Sequence, residues 1–281
     1  MFLHHELSVA VDLAKKAGDR VRGRSKSAQI RYKSEDESPV TDADEAADKI
    51  IHAGLSAAFS NDAIVSEESF LPGTLLSAQG RVWFVDPIDG TSNYIKGGDE
   101  YTVMIGLVID GKPVLGVVYQ PATNILWQAI HTADFSLCER IDADGHKKEL
   151  DIQKHPVSPS GIVLTLSRSH SSTALSSFLE ELPLLQVLRR SSVGTKMALI
   201  AEGQVDLYLT PARRLKLWDL CAPYVILRAA GGIITGLDES PLVFGEQIEH
   251  RKGILATTPL CYALIKPKLV STFEKWRTRN Y

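Results

Sequence analysis

Three acidic clusters lie at or near apolar, strand-like runs: Glu67 and Glu68 after Ala63-Ile64-Val65, Asp86 and Asp89 after Val82 to Val85, and Asp219 in Trp-Asp-Leu-Cys-Ala. Carboxylates gathered at sheet ends repel one another and lose hydration, so a fold that places them there needs cations to neutralise them. The pattern therefore favours a layered fold whose strand ends converge on one site for several hard cations.

The chain has 281 residues, 44% hydrophobic and 23% charged, enough for one large or two closely packed domains. A net charge of -3 and no long Lys/Arg block argue against a nucleic-acid polymer as partner, because backbone phosphates call for a concentrated basic surface. A small phosphorylated metabolite fits better. Residues 1–24 mix Glu6, Asp12, Lys15, Lys16 and Asp19 with apolar residues, as an amphipathic helix does and a signal peptide does not. No apolar run reaches membrane-spanning length, so the expectation is a cytoplasmic protein, monomeric or homodimeric. Cys138, Cys221 and Cys261 form no CxxC pair and are expected to be reduced and buried.

Residues 41–59 predict a second helix, with acidic residues near its start that complement its dipole. Strand-like runs follow at 63–66 and 82–85, then a meander at 103–109, 114–119 and 125–130, with turn signals at Asp110-Gly111 and Asp144-Gly145. The segment 153–161 carries two prolines and is the expected boundary between residues 1–152 and 153–281. Beyond it, strands at 162–166, 186–188 and 205–209 alternate with helices at 173–182, about 196–202 and after Asp219, which Gly231-Gly232 would cap. The two halves suggest an α/β (α+β) fold with the acidic clusters facing a cleft.

In Asp86-Pro-Ile-Asp-Gly, Pro87 fixes one φ angle and Gly90 tolerates an unusual one, so two carboxylates three apart converge. Paired cations about 3.5–4 Å apart need a shared carboxylate, and oxygen-only ligands favour Mg²⁺. The same residues also suit an ordinary Asp-rich turn, and Asp219 alone suits a helix N-cap; the specificity lies in the three clusters together. Two further stretches concern phosphate. Ser191-Ser192-Val-Gly-Thr-Lys196 precedes a helical run and could hold an anion at its N-terminus. Arg168-Ser169-His170 follows a strand and could reach a second phosphate.

The ordered set Asp44 in Val-Thr-Asp-Ala-Asp, Glu67-Glu68, Asp86-Pro-Ile-Asp-Gly-Thr91 and Trp218-Asp219-Leu-Cys-Ala222 resembles the signature of the lithium-sensitive, magnesium-dependent inositol monophosphatase superfamily. The resemblance implies an αβαβα sandwich of the inositol monophosphatase and fructose-1,6-bisphosphatase type, and two or three Mg²⁺ ions. It implies metal ligation by Glu67, Asp86, the Ile88 carbonyl, Asp89 and Asp219, with Asp44, Glu67 and Thr91 catalytic in aligning the attacking water. Glu68 and Trp218 would brace these ligands, and substrate would meet Asp89, Gly90, Thr91, Ser169, His170, Lys196 and Asp219.

Within the superfamily, Lys216-Leu-Trp-Asp-Leu-Cys-Ala-Pro223, Ala230-Gly-Gly, Arg168-Ser-His170 and Gly194-Thr-Lys196 are similar to 3'(2'),5'-bisphosphate nucleotidases, which act on 3'-phosphoadenosine 5'-phosphate. In that reading His170, Arg168 and Lys196 would grip the phosphate that is not cleaved. Ala212 stands where inositol monophosphatases place an acidic residue, whereas Ser92-Asn93-Tyr94 is closer to the inositol enzymes. Inositol or sugar phosphate hydrolysis is the alternative, and a non-catalytic binding homologue is a third reading. Arg213 and Arg214 read as a solvated charged turn.

Overall fold

Thr-Val-Met-Ile-Gly-Leu-Val-Ile, residues 102–109, is apolar at nearly every position, and a strand of that composition must be covered on both faces. The layers around it supply both covers. The structure, a computed structural model, describes residues 3–23, 28–33, 38–71, 73–74, 76, 78–154, 161–168, 179–180, 182–212 and 215–279.

In chain order the elements are α1 (His4–Val21), β1 (Ile30–Tyr32), β2 (Pro39–Thr41), α2 (Asp42–Ala58), β3 (Ala63–Ser66), β4 (Arg81–Asp89), α3 (Thr91–Ile95), β5 (Thr102–Ile109), β6 (Lys112–Gln120), β7 (Ile125–His131), β8 (Ser136–Ile141) and β9 (Lys147–Glu149). There follow β10 (Ile162–Ser167), β11 (Leu184–Arg190), α4 (Val193–Ala201), β12 (Leu207–Thr210), β13 (Leu215–Lys216), α5 (Leu217–Ala229), β14 (Ile233–Thr235), β15 (Glu249–His250), β16 (Ile254–Thr257) and α6 (Pro259–Arg279). A seven-stranded sheet runs in order from β3 to β9, parallel only between β3 and β4. The second sheet has the order β11-β10-β12-β16-β14. Asp110 and Gly111, both at positive φ, turn β5 into β6 as the dipeptide predicts.

Alternation along the strands sorts their side chains into three apolar layers. On β5, Val103, Ile105 and Leu107 face α1 and α2, while Met104 and Val108 join the layer that holds α4 and α5. On β12, Tyr208 points to that same middle layer, and Leu207 and Leu209 pack with Cys261, Ile265 and Leu269 of α6. The order is helices, seven-stranded sheet, helices, five-stranded sheet, helix: the expected αβαβα sandwich. The middle layer draws residues from both sides of the expected boundary at 153–161, of which 155–160 lie outside the described residues.

Helix α5 rides close on the large sheet because two glycines leave room for it. A Cβ on Gly116 would lie 2.3 Å from the Ala222 carbonyl oxygen, and one on Gly106 would lie 2.5 Å from Cys221 Sγ. This close seat carries the N-terminus of α5, and with it Asp219, toward the ends of β3 and β4. The expected helix at 173–182 falls largely outside the described residues, as do Ser169, His170, Arg213 and Arg214.

Candidate active site

Local backbone geometry anchors three of the site carboxylates, Asp44, Asp86 and Asp219. Asp44 is the third residue of α2, where its Oδ2 accepts from the backbone N–H (2.8 Å) and the hydroxyl (2.5 Å) of Thr41, the N-cap. Asp219 holds the matching place in α5, and its Oδ2 accepts the Lys216 N–H at 2.8 Å. Asp219 therefore closes its helix start from inside rather than serving as the N-cap. Asp86 accepts the Ile88 N–H at 3.0 Å across an irregularity in the β4–β5 ladder between Asp86 and Asp89. Each of these aspartates uses one oxygen for anchoring.

Gly90 ends the Asp-Pro-Ile-Asp turn at φ 98°, a left-handed conformation that a side chain would strain, and a Cβ there would sit 2.8 Å from the Glu100 carbonyl oxygen. The turn brings Thr91 Oγ1 within 3.2 Å of Asp44 Oδ1 and 3.0 Å of the Ile88 carbonyl oxygen. One hydroxyl proton serves one of these acceptors at a time, which leaves an oxygen lone pair to accept from a water.

Asp89 is held across the molecule. Its Oδ2 accepts from Ser192 Oγ at 2.6 Å and Gly194 N–H at 3.0 Å, and the Val193 N–H also bonds the carboxylate. The start of α4 does bind an anion, as Ser191 to Lys196 suggested, but the anion is the protein's own Asp89. Ser192, one of the hydroxyls of that stretch, makes the shortest of these contacts. Its hydroxyl also meets Thr102 Oγ1 at 2.9 Å and receives the Thr195 N–H at 3.0 Å.

Electrostatics bind the clusters into one site. Burial raises Asp86 well above the ordinary carboxylate range, and the charges of Glu67, Asp89, Asp219 and Glu68 raise it further. Asp219 is raised by burial and by Glu67 and Asp89. Burial pushes Asp44 up to about 6 against the bonds from Thr41, and burial with the Glu67 charge brings Glu68 to about 7. Such a set is stable in ionised form only beside added positive charge. Lys33 supplies part of it, 2.8 Å from Glu67 Oε1 and 3.0 Å from Glu68 Oε1. Trp218, buried against Phe70, packs beside Asp219 in sequence.

Two residues expected at phosphate have protein partners in the structure. Lys196 is fully buried, its Nζ bonding the carbonyl oxygens of Arg190 (3.3 Å) and Ser191 (3.0 Å) over the Tyr208 ring. Burial lowers it to about 8 against the charges of Asp89, Glu100 and Asp219. Arg168 is engaged bidentately by Glu100 at 2.8 and 2.9 Å, where Arg190 joins it at 3.3 Å. Asn93 accepts the Glu100 N–H at 2.9 Å, a turn-holding role that weakens its use as a sign of inositol chemistry.

The donor set, all oxygen, is of the kind that suits a hard divalent cation. Among the described residues no three carboxylate, imidazole or thiolate side chains already form a single coordination sphere, with Glu67 held by Lys33 and Asp89 by α4.

The family model for inositol monophosphatases matches residues 3–275. The chain belongs to the inositol monophosphatase family. The 3'(2'),5'-bisphosphate nucleotidase CysQ of Escherichia coli K12 is 34% identical, over 84% of this chain and 92% of that one. A histidinol-phosphatase of Mycobacterium tuberculosis is 32% identical over 84% of this chain and 88% of its own length. Among solved structures, the inositol monophosphatase of Anabaena (Nostoc) sp. PCC 7120 superposes with a TM-score of 0.71 at 26% identity, over 96% of both chains. Among the described residues no helix is long and apolar enough to cross a membrane.

Proposed function

We infer that this family member is a Mg²⁺-dependent phosphomonoesterase that removes the 3'-phosphate from adenosine 3',5'-bisphosphate. The observation that carries the reading is the mutual raising of Asp86, Asp219 and Glu68 by their neighbours' charges, beside the Asp44–Thr91 pair. Glu67, Asp86, Asp89, Asp219 and the Ile88 carbonyl would hold the ions, which when bound supply charge neutralisation and Lewis acidity toward the phosphoryl oxygens.

The residues then divide the work. Asp44, brought close to neutrality, accepts a proton near pH 6, and Thr91 relays between it and a water held at the turn. Asp89 is fixed by Ser192 and α4, so the ligand geometry does not depend on a mobile side chain. Asp86 lies fully buried at the centre, where it interacts with four other carboxylates. The nucleotide substrate is supported by the 34% identity to CysQ, with Ala212 standing in place of an acidic residue. The 32% identity to a histidinol-phosphatase favours a second reading, a smaller phosphomonoester on the same carboxylates.

The test is phosphate release with Mg²⁺ from adenosine 3',5'-bisphosphate, inositol 1-phosphate, fructose 1,6-bisphosphate and histidinol phosphate, with and without lithium. A dominant, lithium-inhibited rate on the nucleotide is expected. Preference for another of the four would keep the phosphatase site and overturn the substrate.

A further inference from the structure

The segment between β14 and β15 comes against the start of β4. A Cβ on Gly245 would lie 3.5 Å from Ala78 Cβ, and one on Gly111 would lie 3.4 Å from the Phe244 carbonyl oxygen. The Asp110-Gly111 turn bonds Gly80 there, at the end of β4 opposite Asp86 and Asp89. Between this segment and β15 lies a cavity of about 490 Å³, within the range of small-molecule sites. Pro241 and the exposed Val243 give it an apolar wall.

Most of the uncommitted polar groups that line it are acceptors. His250 is buried, and its Nε2 lies 2.8 Å from the Gly253 carbonyl oxygen, which can only accept, so Nε2 carries the proton. Burial lowers the pKa of the ring, which is therefore neutral at pH 7 and keeps Nδ1 as an acceptor. That nitrogen has no partner among the described residues. Glu246 is exposed and, among the described residues, pairs with no cation; the neighbouring Gln247 amide is equally uncommitted. At the rim, Arg251 places Nε and Nη2 on a single oxygen of Glu249, at 3.0 and 2.8 Å, which leaves Nη1 for an anion.

We propose that this cavity is a second ligand site, separate from the carboxylate cluster, for a guanine nucleoside monophosphate. The base lies against Pro241 and Val243 and donates N1–H and one N2 proton to Glu246. Its second N2 proton goes to His250 Nδ1, its O6 accepts from Gln247, and the phosphate meets Arg251. Adenine would set its N1 lone pair against the carboxylate where guanine sets N1–H, so the cavity discriminates between the two bases.

Isothermal titration in EDTA tests this without divalent ions at the carboxylate cluster. Guanosine 5'-monophosphate, adenosine 5'-monophosphate, guanosine and inorganic phosphate are titrated into the wild type, Glu246→Ala, Arg251→Met and Val243→Asp, all three changes at exposed side chains. The guanine nucleotide is expected to bind the wild type at least about tenfold more tightly than the adenine nucleotide, the scale of one bidentate base contact. Glu246→Ala should erase that preference. Arg251→Met should weaken the nucleotide about fivefold and leave guanosine unmoved, and Val243→Asp should weaken both. Absence of guanine nucleotide binding, equal affinity for the two nucleotides, or binding that survives Glu246→Ala and Val243→Asp overturns the site. Inorganic phosphate that binds as tightly as the guanine nucleotide overturns the base recognition.

Discussion

Replacing Ser192 with Ala would test whether the two halves of the molecule share one site. Its hydroxyl is fully buried, donates to Asp89 Oδ2 at 2.6 Å, receives the Thr195 N–H at 3.0 Å and meets Thr102 Oγ1 at 2.9 Å. Loss of a hydrogen bond to a charged acceptor costs about 1.5–3 kcal/mol, and loss of an N-cap about 1 kcal/mol. Partial relaxation reduces the total, so a loss of roughly 2–4 kcal/mol is expected, which for a chain of this size lowers the melting temperature by about 3–7 °C. Because the same hydroxyl anchors Asp89, Mg²⁺ affinity or turnover should fall about 10–100-fold, the usual size for a residue that orients a ligand. Ser192→Thr, which keeps the hydroxyl, should recover most of both. Thermal melts in EDTA and Mg²⁺-dependent phosphate release give the two readouts. A Ser192→Ala protein that melts within a degree or two of wild type and turns over normally would refute the anchoring role.

Thr91→Val removes the hydroxyl between Asp44 and the Ile88 carbonyl, and turnover should drop by about 10²–10⁴ with little change in Mg²⁺ affinity; a rate within fivefold of wild type contradicts the relay. Asp44 and Glu68 are raised acids, so from about pH 4 to about 6 and 7 respectively the folded chain keeps protons that the unfolded chain has released. Metal-free stability therefore falls as pH rises through that window, by about 3 kcal/mol for Asp44 alone. Mg²⁺ offsets the repulsion, so the melting-temperature gap between Mg²⁺ and EDTA should widen from pH 5 to pH 8; a constant gap argues against ion binding at these carboxylates. Gly116→Ala should destabilise the fold by several kcal/mol by pushing α5 off the sheet, as the 2.3 Å approach to Ala222 implies; a variant melting like wild type would contradict that seating.

Much of the large sheet was legible because its strands are long and apolar and its turns carry chemistry. Residues 63–66 and Asp110-Gly111 are read directly, whereas β4 runs on past the apolar residues into the Asp-Pro-Ile-Asp turn itself. The short elements were not legible: α3 has five residues, β14 and β16 three and four, too few to establish a period. Helix α6 went unread, its pattern interrupted by Pro267.

In the site, the carboxylates could be named because their local motifs are self-contained helix starts and turns. What pairs with them depends on contacts across the fold. An anion nest was visible in Ser191 to Lys196, but its occupant, Asp89, lies about a hundred residues earlier. Lys196 reads from the sequence as a cation for phosphate, and only the packing of Tyr208 and the Arg190 and Ser191 carbonyls shows that it is enclosed. Arg168 looked free for phosphate until the fold brought Glu100 against it.

Asp86→Asn tests the central claim most directly, through Mg²⁺-dependent release of phosphate from adenosine 3',5'-bisphosphate and melting in EDTA measured on the same preparations. Asp86 is buried among four carboxylates whose charges oppose its own, so removing its charge should abolish turnover while the metal-free melting temperature stays equal or rises. Near-normal turnover in Asp86→Asn would contradict the account.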